Sequence, residues 1–173
     1  MDVEKAIRGR RTHKAYGPRE LERAELEDLF ELARWAPNHH LTNPWRFRVL
    51  GPETRRALME LAEREKPGAA AKLARAPTLV CVSALLDGED PAQEREDLLA
   101  TAIAAYIVLL GATARGLASY WRTVGLLDGA PAHELLSLDA HERVLGLLYL
   151  GDPVQEQRVP ERAPLEDLVS YLP

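Results

Sequence analysis

What this chain has little of narrows the possibilities first. It carries one cysteine, Cys81, so no intrachain disulfide can form and no metal centre can rest on cysteine. That cysteine stands in the apolar run Leu79-Val80-Cys81-Val82 and reads as a buried strand residue. There is no Gly-x-Gly-x-x-Gly turn, so a nicotinamide cofactor would not be held in a Rossmann domain. Metal-binding spacings are missing too: His39-His40 lacks a third and fourth ligand, and Asp139-Ala140-His141-Glu142 does not form the His-Glu-x-x-His pattern. No apolar run approaches the ~20 residues that span a bilayer, and Met1-Asp2-Val3-Glu4-Lys5 lacks the apolar stretch of a signal peptide. A cytoplasmic location is the expectation. Positive charge is not in excess: the net charge is −5, which gives no electrostatic reason to seek nucleic acid or an anionic membrane. An anionic ligand must therefore be held by a local cluster of cations.

What is present suits one folded unit. With 173 residues, 46% of them hydrophobic and 28% charged, the chain predicts a single domain over 1–173. Periodicity predicts helices over Asp2–Arg8, Glu22–Trp35, Pro52–Arg64, Arg95–Arg115 and from Pro131 to Ser137. Strands are predicted at Trp45–Leu50, Thr78–Leu85, Ala118–Arg122 and Val144–Leu150, the last apolar throughout like a strand buried on both faces. Lys66–Ala71 reads as a mobile connection and Asp87–Pro91 as a loop. The fold class expected is α+β, three layers, with helices flanking one central mixed sheet. The helix over Arg95–Arg115 has too little polar surface to face solvent, so it belongs in the core or in a dimer interface.

Three segments carry chemistry. Arg8-Gly9-Arg10-Arg11-Thr12-His13-Lys14 follows a short helix and offers several cations and a hydroxyl in one turn, a receptor suited to a phosphate dianion. A solvated charged turn would have the same composition. Ala36-Pro37-Asn38-His39-His40-Leu41-Thr42-Asn43-Pro44-Trp45 is a polar loop fixed by proline at both ends, whose amides and imidazoles suit the edge of a flat heterocycle. Tyr120-Trp121-Arg122 places aromatics and a cation where a strand runs into a loop, as in a pocket wall; core packing is the plainer use of such aromatics.

Taken in order along the chain, these segments resemble the nitroreductase family of FMN proteins, and within it the short bacterial minimal nitroreductases. Arg10-Arg11-Thr12-His13-Lys14 is similar to the family's Arg-Arg-Ser-x-Arg/Lys opening. Ala36-Pro37-Asn38-His39-His40 through Asn43-Pro44-Trp45-Arg46-Phe47 resembles its Ala-Pro-Asp-His-Lys and Gln-Pro-Trp-Arg-Phe stretch. Tyr120-Trp121-Arg122-Thr123-Val124-Gly125, the turn Gly151-Asp152-Pro153, and Arg162 before Pro164-Leu165-Glu166-Asp167-Leu168 are similar to later family motifs. Two positions depart: Asn43 replaces a glutamine, and Leu41 stands where many members have a flavin-contacting asparagine.

The resemblance implies a homodimer with FMN at the subunit interface. It implies that Arg10, Thr12 and Arg162 hold the FMN phosphate, that Arg11 helps through its backbone or at the ribityl chain, and that Lys14 sits near the pyrimidine edge. A cation there would stabilise charge that develops on reduction. Trp35 and His39 would come from the partner subunit, His39 supplying the contact that Leu41 does not, while Tyr120, Trp121 and Arg122 line the other side. The C-terminal segment, residues 159–173, would reach across the partner. The activity implied is ping-pong hydride transfer from NADH or NADPH to a nitroaromatic, quinone or similar acceptor. Enone reduction, dehalogenation, flavin breakdown, or a storage or regulatory role with little turnover stay open.

Overall fold

In the computed structural model, which describes residues 2–173, the chain forms six α-helices and four strands. They run α1 (Val3–Gly9), α2 (Arg23–Ala33), β1 (Trp45–Val49), α3 (Pro52–Glu65), α4 (Ala70–Leu73), β2 (Thr78–Leu85), α5 (Pro91–Ala114), β3 (Ala118–Arg122), α6 (Ala130–Leu135) and β4 (Glu142–Gly151). The strands make one sheet in the order β1-β2-β4-β3.

The alternation of side chains along the strands splits the core into two halves. Val80, Val82, Leu148 and Leu150 face one way and pack with Leu26 and Leu29 of α2 and Ala104, Ala105, Val108 and Ala112 of α5. Leu79, Cys81, Leu147 and Tyr149 face the other way and pack with Leu58 and Leu61 of α3, Leu73 of α4 and Ala132 of α6. Helices therefore cover both faces of the sheet, which is the expected three-layer α+β arrangement, and Cys81 is buried as its apolar setting requires.

The sheet is not mixed. Every adjacent strand pair is antiparallel, and the parallel pairing among the described residues is an isolated bridge between Thr12 and Ser119. The reason lies in the topology. The α5 crossover does join two strands that run the same way, β2 and β3, but β4 lies between them and is antiparallel to both. A helix between two strands in sequence does not make them neighbours.

Helix α5 also starts earlier than the periodicity predicts. Asp90 caps it, its carboxylate accepting from the Ala92 N–H at 2.8 Å, and Pro91 occupies the first turn, where its missing N–H costs nothing. At 24 residues α5 is long and apolar enough to cross a membrane, yet half of its apolar window is buried inside the protein, against the sheet and α2. It is the core helix. Its other side leaves Leu99, Ile103 and Tyr106 in contact with solvent at helical spacing. The Lys66–Ala71 connection is tied down: the Glu63 carboxylate accepts from the N–H groups of Gly68 and Ala70, and α4 buries Leu73.

A partly buried triad fastens the sheet away from β3. Arg48 of β1 donates to Ser83 and to Glu142, and Ser83 also donates to Glu142. Burial alone would raise the Glu142 carboxyl, but the bonds from Arg48, Ser83 and the Asp139 N–H outweigh it and hold it below its ordinary value.

Candidate functional site

The edge strand β3 is where the chain assembles its candidate site. Residues 10–17 run beside it as a strap. The His13 N–H donates to the Ser119 carbonyl at 3.1 Å, and the Ser119 N–H donates to His13 Nδ1 at 3.3 Å. The Tyr16 hydroxyl donates back to the His13 carbonyl at 2.9 Å; burial pushes that phenol well above its ordinary range, so it stays protonated and can donate. Arg19 closes the strap, its guanidinium fork reaching both carboxylate oxygens of Asp152 at 2.8 and 2.9 Å.

Two adjoining cavities share this strap. One, about 410 Å³, is lined by Arg10, Thr12, Tyr106, Leu109, Tyr120 and Trp121, with Arg122 and Thr123 at its side. The other, about 350 Å³, is lined by Arg10, Arg11, Thr12, Gln157, Arg158, Pro160 and Arg162. Arg10 and Thr12 belong to both, so an aromatic cleft opens into a basic one. The basic cavity is lined by four arginines and a threonine with no acidic residue, on a protein of net charge −5. Arg10, Arg158 and Arg162 make no ion pair among the described residues. Unsatisfied donors of this kind fit a phosphate dianion. Arg11 is used differently: its guanidinium folds back on the carbonyls of Arg8 and Arg10 at 2.6 and 2.9 Å and so shapes the turn.

The aromatic wall is fixed from beneath. Trp121 donates its indole N–H to the Leu145 carbonyl at 3.1 Å. Leu145 is the extra residue of a bulge in β4, since Val82 faces Gly146 while Ser83 faces Val144. Gly146 follows with φ +139°, and a Cβ there would lie 2.5 Å from the Arg122 carbonyl oxygen and 2.9 Å from the Trp121 indole nitrogen. Only glycine lets β4 approach this closely. Gly146→Ala is therefore expected to cost about 3 kcal/mol, lowering the melting midpoint by about 6–12 °C in a thermal melt. An unchanged midpoint would mean that the bulge relaxes freely. Arg122 is oriented by Tyr149, to which it donates at 3.1 Å; burial holds that phenol above its ordinary value against the pull of the guanidinium.

Five of the residues expected from sequence, Arg10, Thr12, Tyr120, Trp121 and Arg122, thus line one cleft, and Arg11 and Arg162 line the cavity beside it. Lys14 is exposed at a bend and lines neither. Trp35 is 74% exposed at the end of α2, and His39 is exposed beside Glu96 of α5, its Nδ1 3.2 Å from the carboxylate. Glu96 precedes Tyr106 by ten residues, about 15 Å along the helix at ~1.5 Å per residue, so His39 does not reach the cleft of its own chain.

The loop that carries His39 is strained. His40, Leu41 and Asn43 adopt φ of 57°, 53° and 48°. For non-glycine residues this conformation costs on the order of 1 kcal/mol each, least for asparagine, and it persists only where surrounding bonds impose it. Sequence reasoning missed Arg158, Tyr106, Leu109 and Thr123. Arg158 had a signal, as a further cation in the tail before Pro160; Tyr106 had one as the lone aromatic in an aliphatic helix.

Comparison with known proteins finds one family and one fold. The family profile described as the nitroreductase family matches residues 7–152. The Bacillus subtilis protein YfhC, provisionally named an NAD(P)H nitroreductase, is 26% identical over 174 residues, covering 93% of this chain and 89% of its own. A nitroreductase-like family protein from Bacillus cereus superposes with a TM-score of 0.89 at 23% identity, covering 99% of this chain and 96% of that one. The FMN-dependent nitroreductase NfnB of Mycobacterium smegmatis, solved in complex with NADPH, superposes with a TM-score of 0.81 at 18% identity, covering 98% and 97%.

Proposed function

Since the chain belongs to the nitroreductase family, we propose that it is an FMN-dependent oxidoreductase using NAD(P)H, active as a homodimer whose subunits share each flavin site. The observation that carries this reading is the basic cavity of Arg10, Arg11, Thr12, Arg158 and Arg162 opening into the cleft of Tyr120 and Trp121. Those two compartments match the two ends of FMN, a phosphate and a flat ring system, in chemistry and in order.

Arg10, Arg158 and Arg162 bind the phosphate with the Thr12 hydroxyl, and Arg11 holds the turn that presents them. Tyr120, Trp121 and Arg122 line the seat of the ring system, with Trp121 fixed by Leu145 and Arg122 by Tyr149. Lys14, exposed on the strap, would add positive charge near the site, and Trp35 and His39 would complete the site of the neighbouring subunit. The chemistry FMN supplies when bound is transfer of two electrons from NAD(P)H to a nitroaromatic, quinone or similar small acceptor. The protein contributes position, water exclusion and fixed charge. The dimer reading is supported by the uncovered apolar side chains Leu99, Ile103 and Tyr106 on α5 and Leu165, Leu168, Val169 and Leu172 in the tail.

One concave seat must receive the hydride donor and the acceptor in turn. Initial rates against NADPH or NADH at several concentrations of a quinone or nitroarene are expected to give parallel double-reciprocal lines. Intersecting lines would require separate simultaneous sites, and no turnover with any acceptor would leave a flavin-binding protein without this activity.

A further inference from the structure

Side-chain bonds keep the strained loop of residues 38–43 in its shape. The bonds that hold it converge on one buried group. Asp97, on α5, is 3% exposed and has no cation against its carboxylate among the described residues. Its Oδ1 accepts from the Thr42 hydroxyl at 2.6 Å and from the Gln93 amide at 3.0 Å. The Thr42 oxygen accepts in turn from the Asn38 side-chain amide nitrogen at 2.9 Å, and Asn38 Oδ1 accepts from the Asn43 N–H at 2.6 Å. On the loop's other flank, His39 Nδ1 lies 3.2 Å from the carboxylate of the neighbouring Glu96. One turn along the helix, the Thr101 hydroxyl is fully buried with no partner among the described residues.

A corner built only to pack would be more stable with aliphatic side chains, because buried carboxylates and hydroxyls carry a desolvation cost. Here the buried Asp97 anchors a loop of which residues 39–43 stay exposed. Strain held in place by a rigid helix, with its apex turned outward, is the arrangement expected where a loop must meet another surface in one conformation.

We propose that Asp97 is a positioning residue: through the Thr42 hydroxyl and the Asn38 amide it fixes the loop so that His39 and Leu41 meet the flavin site of a second copy of this chain. This rests on the shared-site reading above. Asp97 touches neither cofactor nor substrate and acts through Thr42.

The test uses full-length wild type, Thr42→Val, Thr42→Ser and Asp97→Asn, each titrated with FMN, with sedimentation and the visible circular dichroism of the bound flavin read on the same samples. Thr42→Val, which keeps the shape and removes the donor, is expected to weaken FMN binding about 10-fold and to change the flavin dichroism while the dimer persists. Thr42→Ser is expected to restore both. Asp97→Asn keeps an acceptor oxygen and loses the charge, so it should weaken FMN binding by less than Thr42→Val, and the double variant should be no worse than Thr42→Val alone, since both changes act on one link. If Asp97→Asn fails to fold, the Thr42 pair decides. A Thr42→Val protein with wild-type affinity and dichroism, even with a lowered melting midpoint, would overturn the positioning role and leave only a structural contact. Wild type that binds FMN as a monomer would overturn the shared-site reading and this proposal with it, a distinct result visible in the control.

Discussion

Arg10→Ala is expected to weaken FMN binding about 10–100-fold while leaving far-UV circular dichroism and thermal melting of the flavin-free protein unchanged. The size follows from the loss of one charged donor to phosphate, worth ~1.5–3 kcal/mol. The sparing of the fold follows from the structure, where the Arg10 side chain makes no hydrogen bond or ion pair among the described residues and lines both halves of the cleft. The same titration at rising salt should show a weaker salt dependence for the variant, because exposed charges are screened over about 10 Å at 0.1 M. Unchanged affinity would make Arg10 a surface charge and move the phosphate away from the strap.

Truncation after Pro160 is expected to loosen the dimer and to lose flavin in the same step. It removes Arg162 from the basic cavity and, with it, Leu165, Leu168, Val169 and Leu172, all uncovered in the isolated chain. Burying four such side chains is worth about 6 kcal/mol gross at ~1.5 kcal/mol each. Ordering the tail consumes much of that, but even a third, ~2 kcal/mol, is roughly 30-fold in the dimer dissociation constant. If FMN binds only the dimer, added flavin should partly restore association by mass action. Light scattering with flavin absorbance read on the same sample measures both. A truncated monomer with stoichiometric FMN would place the whole site within one chain.

The parts of this fold that were legible in the sequence are those written in local pattern. The strands Thr78–Leu85 and Ala118–Arg122 fall where the sequence reading put them, and α3 begins at Pro52, as proline's place in the first turn of a helix predicts. What was not legible depends on contacts distant in sequence. The insertion of β4 between β2 and β3, which makes the sheet antiparallel, leaves no trace in either strand's own residues. The Leu145 bulge hides inside a run that is apolar throughout, with Gly146 the one mark of it. The first turn of α5 is polar, and Pro91 looked like loop because the Asp90 cap that precedes it sits in a cluster of turn formers.

The site divides in the same way. Arg10, Thr12, Tyr120, Trp121 and Arg122 stand in two short segments that the Thr12–Ser119 bridge brings together, so motif and geometry coincide. Tyr106 and Arg158 arrive from the middle of a helix and from the tail, where no local motif marks them. Asp97 was hidden for a third reason: a carboxylate in the polar start of a helix looks solvated, and only the fold shows that it is buried under Thr42.

The most direct measurement is the identity of the cofactor. Full-length protein, incubated with FMN and FAD together, freed of unbound ligand and then denatured, should release FMN at one per chain, identified by chromatography. The basic cavity and aromatic cleft suit one phosphate and one ring system, and there is no glycine-rich turn for a dinucleotide's pyrophosphate. Release of FAD, or of no flavin at all, would contradict the assignment of this cleft as an FMN site.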